Sequence, residues 1–136
     1  MSKDWVQDIA EMHTKFGVNA VVRDFDREKL KKFLEFRVNF LEEELNETKR
    51  AMNEKNPDGV VDGLIDLCVV AIGTLNAFDV DAHTAWERVH SANMEKEIGI
   101  KHNRPNPLGL PDLVKPSHWM SPTHIDNTGL LGTLNQ

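Results

Sequence analysis

Before Lys101, apolar residues recur at helical spacing, and the recurrence breaks at a few punctuating residues. Trp5, Ile9, Met12 and Phe16 predict a first helix over about Asp4 to Phe16, stopped by Gly17. The segment from Val18 to Phe25 reads as a linker. A second helix is expected from about Arg27 to Glu54, with Asp26 as its N-cap and one stripe of Leu30, Leu34, Val38, Leu41, Leu45 and Met52. Asn56-Pro57-Asp58-Gly59 reads as a turn into the next helix. That third helix, about Val60 to Phe78, is apolar almost all round, so it should be the most buried element. A fourth, about Ala82 to Glu97, follows Asp79 or Asp81 as cap and ends at Gly99. Its apolar face is Ala82, Ala85, Trp86 and Val89.

After Lys101 the pattern dissolves. Five of the six prolines fall between Arg104 and Pro122, and three glycines follow Lys101, so no helix or strand of useful length is expected. Leu108, Leu110, Leu113, Val114, Trp119 and Met120 suggest that the first half of this tail docks. The expectation is an all-α fold, a four-helix bundle over residues 1–102 with a Pro/Gly-rich extension over residues 103–136.

Composition narrows the partners. With 40% hydrophobic and 28% charged residues the chain has the balance of a soluble globular domain. A net charge of -6 argues against a nucleic-acid binder, which needs a basic surface. The single cysteine, Cys68, allows no intrachain disulfide and fits a reducing cytoplasm. Met1 to Trp5 holds no apolar signal core. The apolar run Leu64 to Leu75 is broken by Asp66 and falls short of the roughly 20 residues that span a bilayer, so no membrane is expected.

The chemistry lies in the acids of the second and third helices. Glu44 and Glu47 share one side of the second helix, at the edge of its apolar stripe, with Phe33, Arg37 and Phe40 along the same edge. Asp62 and Asp66 share a face of the third helix with Gly73, among Val61, Leu64, Ile65, Leu67, Cys68, Val69 and Val70. A Glu-x-x-Glu on a helix is usually a solvated face. An aspartate pair on an apolar helix is costly unless paired or metal-bound. Two such pairs facing each other would repel, and a divalent cation removes the repulsion. All-oxygen ligands select a hard ion, Mg²⁺ first and Mn²⁺ second.

These motifs resemble a known family. Glu43-Glu44-Leu45-Asn46-Glu47 resembles the first metal motif of the MazG-like and phosphoribosyl-ATP pyrophosphohydrolase superfamily, and Asp62-Gly63-Leu64-Ile65-Asp66-Leu67 its second. The second motif departs: Gly63 stands where a glutamate is usual, and Asp62 stands one position earlier, the Asp-x-x-x-Asp spacing of a subgroup. Val69-Val70-Ala71-Ile72-Gly73-Thr74, Asn93-Met94-Glu95-Lys96, Met12 to Gly17, and Arg104 to Pro107 through Lys115-Pro116 and Trp119 extend the likeness to roughly His13 to Pro122. It is strongest to the short, single-domain phage-encoded members.

The resemblance implies hydrolysis of a nucleoside triphosphate at the α–β bond, giving monophosphate and pyrophosphate. Deoxynucleotides, dGTP and dCTP first, suit a phage-type member. Glu44, Glu47, Asp62 and Asp66 would hold Mg²⁺. Glu47 or Glu44 would accept the proton of the attacking water, and Glu43 would either support the metal ligands from behind or be surface charge. Lys96 would meet phosphate as a point charge, and Asn93 would donate to phosphate or sugar. Arg37 would orient Glu44 or touch phosphate, and Lys115 would close over the triphosphate. His13, Phe16, Phe33 and Trp119 are candidate walls for the base. The location implied is cytoplasmic, a host's cytoplasm for a phage-encoded chain.

Helix three, apolar all round, should meet neighbours from several directions. A homotetramer, or failing that a homodimer, is expected. Two other readings stand beside the enzyme. One is a nucleotide- or metal-binding scaffold that has lost its chemistry, motivated by Gly63. The other is a ferritin-like di-iron protein, motivated by Glu87-x-x-His90, of which only one copy is present.

Overall fold

In a computed structural model of the chain, residues 3–104 and 106–135 are described. The helices are α1 (Trp5–Phe16), α2 (Val18–Arg23), α3 (Arg27–Asn53), α4 (Pro57–Ala77) and α5 (Ala82–Met94). Two three-residue strands, β1 (Glu97–Gly99) and β2 (Asp112–Val114), and a 3₁₀ turn over Gly129–Thr133 complete them. The fold is all-α.

The ends of the helices follow from the punctuating residues. Asp4 accepts from the Gln7 amide, Asp26 from Lys29 at 2.8 Å, and Asn56 from Gly59 at 3.0 Å. Each holds an amide that the first turn of a helix cannot otherwise pair. Pro57 occupies the first turn of α4, where a missing N–H costs nothing. Gly17, at φ 71°, takes the left-handed conformation that ends α1.

The chain forms two compact units. The first comprises residues 1–82 and 127–136, the second residues 83–126. In the first, α3 and α4 form an antiparallel hairpin, and α1 and α2 lie against α4. Val22, Leu30, Ala77, Phe78 and Val80 are its buried centre. Phe78 is fully enclosed and stacks on Phe33 at 5.5 Å, while Phe25 meets Phe33 edge-on at 5.9 Å. Leu130, Leu131 and Leu134 pack on the same centre. Asn127 clamps the Asp81 backbone from both sides, donating to its carbonyl at 2.8 Å and accepting its N–H at 2.9 Å.

In the second unit β1 and β2 pair antiparallel, with Ile98 opposite Leu113. Trp119 donates its indole N–H to the Ala92 carbonyl at 2.6 Å. Arg88 holds Asp126 with two hydrogen bonds, at 2.7 and 2.9 Å, and the Thr123 carbonyl with a third.

Several expectations are corrected. The segment after Gly17 is not a linker: Val18–Arg23 is a helix, because Val18 and Val22 have a core to enter. The tail supplies one strand of the pair, β2, and a 3₁₀ turn. Leu108, Leu110 and Met120 are exposed, and it is Leu130, Leu131 and Leu134 that reach a core. The α3 stripe is buried only at its start: Val38, Leu45 and Met52 are exposed. As expected, α4 is the most buried helix, but not all of its apolar faces are covered. Val61, Leu64 and Ile65 lie 63%, 51% and 44% exposed, since its inward face is built from smaller residues. At 21 residues α4 is also long and apolar enough to cross a membrane by length and composition, a property shared by core helices of soluble proteins. Met1, Ser2 and the Pro105 of the tail motif lie outside the described residues.

Candidate active site

The α3–α4 hairpin is held along a seam of two facing rows. On α3 the row is Leu30, Leu34, Arg37, Leu41, Glu44, Thr48 and Ala51, and on α4 it is Gly59, Gly63, Asp66, Val70, Gly73 and Ala77. Both step by three and four residues, the spacing that keeps one line of a helix against its partner. Ala51 lies against Gly59, and Thr48 lies so close to Gly63 that a side chain there would strike its hydroxyl. Arg37 meets Thr74, eleven residues further from the turn along each helix than Thr48 and Gly63. These contacts fix the register. They put Glu44 and Asp66, both half-buried, on the seam itself, with Glu47 and Asp62 exposed beside them.

Glu44 is the anomaly of the seam. Its Oε2 is buried and has no hydrogen-bond partner among the described residues. Burial pushes its carboxyl above the ordinary glutamate range, and Glu47, Asp66, Asp62 and Glu43 push it further in the same direction. The four acids singled out in the sequence therefore share one electrostatic environment. Among the described residues no three His, Cys, Asp or Glu side chains form a ready-made metal cage. The donors nevertheless fit a hard cation in kind: all are carboxylates, and one offers a buried oxygen with nothing to bind.

Arg37 is committed to the helix pair. Its Nε donates to Thr74 Oγ1 and its Nη2 to the Val70 carbonyl, both at 3.0 Å, and its guanidinium lies 5.8 Å from the Phe40 ring centre. His13 is buried, with Nδ1–H donating to Asn76 Oδ1 at 2.8 Å; Asn19 donates to the same oxygen at 3.1 Å. Its burial lowers the imidazole pKa, the Asn76 bond opposes that, and the Arg37 charge reinforces it. A side chain at Gly73 would meet both Arg37 and His13. Phe16 is exposed at the end of α1, with Lys15 over its ring at 5.4 Å. Phe33, partly buried, packs against the core and stacks on Phe78.

The remaining candidates belong to the second unit. Lys96 and Lys115 both lie over Trp119, at 5.5 and 4.8 Å from its ring centre. Such cation–aromatic contacts hold long side chains in place. Asn93 is exposed, and its carbonyl accepts the Lys96 N–H at 3.2 Å. Glu87 and His90 are exposed there as well, and among the described residues no metal-ligating group of three includes them.

Sequence reasoning missed Thr48, Asn76 and Asn19. The signal for Thr48 was its spacing of four from Glu44 within the heptad row. Asn19 fell in the segment read as a linker.

No curated protein and no solved structure matches this chain. The model of one family, described as phosphoribosyl-ATP pyrophosphohydrolase, matches residues 19–93. The match contains both acidic pairs and the whole seam, ends at Asn93, and omits Lys96 and the tail. More than half of the chain is covered, and the chain belongs to the phosphoribosyl-ATP pyrophosphohydrolase family, within the MazG-like all-α superfamily of nucleotide pyrophosphohydrolases.

Proposed function

We propose that this chain is a Mg²⁺-dependent nucleoside triphosphate pyrophosphohydrolase of the MazG type. It would cut deoxynucleoside triphosphates, dGTP and dCTP first, to the monophosphate and pyrophosphate. The carrying observation is the buried, unpartnered Glu44 Oε2 on the helix seam opposite Asp66. Packing alone would put an apolar residue at such a position. Family membership supports pyrophosphohydrolase chemistry on a nucleotide-like substrate.

Glu44, Glu47, Asp62 and Asp66 are the residues that would hold Mg²⁺ or Mn²⁺. The ion, when bound, neutralises phosphate oxygens and makes water a stronger acid. Water adds to the α-phosphorus as the bond to the bridging oxygen breaks. Pyrophosphate leaves, and Glu47 or Glu44 accepts the water proton. Lys96, half-buried and steadied by Trp119 within the second unit, is the candidate cation for phosphate. Gly63 has a packing reason of its own, so its presence does not by itself favour the inactive scaffold. It is needed where Thr48 presses on α4, and Asp62 beside it supplies the carboxylate. A homotetramer or homodimer that covers Val61, Leu64 and Ile65 would suit the exposed α4 face. The reading places the enzyme in a cytoplasm, where its substrate is found.

Phosphoribosyl-ATP is the second substrate reading, favoured by the description of the family model. Incubation with the eight common NTPs and dNTPs and with phosphoribosyl-ATP, in Mg²⁺ and in EDTA, separates them. Monophosphate plus pyrophosphate from a dNTP, in Mg²⁺ only, supports the proposal. Turnover of phosphoribosyl-ATP alone moves the chain to the second reading. Diphosphate plus orthophosphate, cleavage of another bond, overturns both.

A further inference from the structure

Beside the strand pair of the second unit lies an open, cation-lined pocket that neither the acidic motifs nor the family match accounts for. From Lys96 to Lys115 the sequence holds four of its sixteen lysines and arginines against two acids, in a chain whose acids outnumber its bases by 22 to 16. The connection from β1 to β2 folds on itself. The Arg104 N–H donates to the Lys101 carbonyl at 3.2 Å, and Asn106 donates to the Leu110 carbonyl at 2.6 Å. The Lys101 N–H donates to Asp112 Oδ2 at 3.0 Å, so an oxygen of the acid nearest the loop's end is already engaged by backbone. The result is an open pocket of about 580 Å³ lined by Lys101, Asn103, Arg104, Val114 and Lys115, with no acid among these described lining residues.

We propose that this cavity binds the phosphates of a small polyphosphate anion. Three cations around one cavity repel each other and favour a ligand carrying several negative charges. Arg104 can grip two oxygens at once, while the lysines act as point charges. Asn103 adds an amide donor, and Lys115 is steadied against Trp119. A single carboxylate would leave two of the charges uncompensated. An extended nucleic acid would meet the field of a chain with net charge -6, whereas a small ligand fits a cavity of this size. The choice of polyphosphate among small polyanions rests on the activity proposed above; the cationic cavity does not.

The probe is sodium tripolyphosphate, titrated calorimetrically into the full-length protein in EDTA at low salt, where no metal bridges it to the acids. One saturable site per chain is expected, weakening as NaCl rises. Lys101→Ala with Arg104→Ala should weaken it at least tenfold. Because the double variant could disturb the loop, amide shifts of the unaltered protein provide a second measurement. They should move at Lys101, Asn103, Arg104 and Val114. No saturable binding, binding unchanged in the double variant, or shifts confined to other residues overturns the proposal. So does a single-stranded oligonucleotide that binds the cavity more tightly than tripolyphosphate. Turnover without this binding would sink the cavity alone, and this binding without turnover of any nucleotide would sink the activity alone.

Discussion

Replacing Glu44 by Gln should make the metal-free protein more stable while removing its activity. The Glu44 Oε2 is buried without a partner on the α3–α4 seam, and its carboxyl is held above its ordinary value first by burial and then by Glu47, Asp66, Asp62 and Glu43. An unsatisfied buried polar atom costs about 1–3 kcal/mol, and ionised groups cost more. Glutamine keeps the shape and removes the charge. The amide still leaves a polar atom unsatisfied there, so only the charge penalty is relieved, and in EDTA at pH 7 the variant should gain on the order of 1 kcal/mol. A raised folded-state pKa means that the protonated carboxyl is favoured in the fold. Stability is then fully present below the unfolded value of 4.5 and is lost as pH rises through the folded one, so the gap between variant and parent should close in acid.

Divalent cation reverses the comparison. A ligand bound only by the folded state stabilises it by about 2.7 kcal/mol at a hundred times its dissociation constant. Thermal unfolding of both proteins in EDTA and in Mg²⁺, followed by circular dichroism at pH 7 and pH 4, reads all of these terms. Mg²⁺ should raise the parent midpoint and raise the variant far less. A variant less stable than the parent in EDTA would mean that Glu44 is satisfied by something other than a cation. An equal Mg²⁺ shift in both proteins would remove Glu44 from the ligand set.

The other predictions test the seam, the site and the core separately. Gly63→Ala should destabilise by about 1–3 kcal/mol despite alanine's better helix propensity, because its methyl meets the Thr48 hydroxyl; adding Thr48→Ala should recover most of the loss in a double-mutant cycle read by urea denaturation. Asp66→Asn should lower kcat for the best substrate at least about 100-fold and weaken activation in a Mg²⁺ titration, with the fold intact by circular dichroism. Phe78→Ala should cost about 3–5 kcal/mol, since Phe78 is wholly enclosed and stacked on Phe33. His13 has a lowered folded-state pKa, so its contribution is present above its unfolded value of 6.5 and is lost as pH falls below it. Stability measured from pH 7 to pH 5 should fall more steeply in the parent than in His13→Gln.

What could be read from the sequence and what could not divide on a physical line. Helix ends were legible where caps and stops are local: Asp26 and Gly17 act within one turn of themselves, whereas Asn56-Pro57-Asp58-Gly59, expected as a turn, is the cap and first turn of α4. Helical class was legible because apolar spacing is local as well. The packed face of α3 was legible only in part. Leu30, Leu34 and Leu41 of the expected stripe keep to the seam, but Val38, Leu45 and Met52 lie outward, and Arg37, Thr48 and Ala51 meet the partner helix in their place. The choice was made by α4, whose small residues, Gly59, Gly63, Gly73 and Ala77, admit a close neighbour along one line only. A hydrophobicity stripe read on one helix carries no information about where its partner has room. The helix at Val18–Arg23 was missed for the same reason, since two valines are too few for a period and find their core only in the assembled unit.

The same geometry accounts for the acids. From sequence, Glu44 stood at the edge of a stripe and could be dismissed as a solvated charge. On the seam it occupies a position that an aliphatic residue would fill with a gain in stability, with Asp66 as its counterpart across the helix pair. The small residues of α4 bring the two backbones close, and that closeness is what forces the carboxylates into each other's field. Gly63 therefore does two things at once. It leaves the second acidic motif without a glutamate at that position, and it permits the approach that makes the remaining acids costly to keep apart from a cation. A side chain at position 63 would have to displace Thr48, which lies directly after Glu47 and whose hydroxyl donates to the Glu44 carbonyl at 2.8 Å. Restoring the commoner glutamate there should consequently weaken the site rather than improve it.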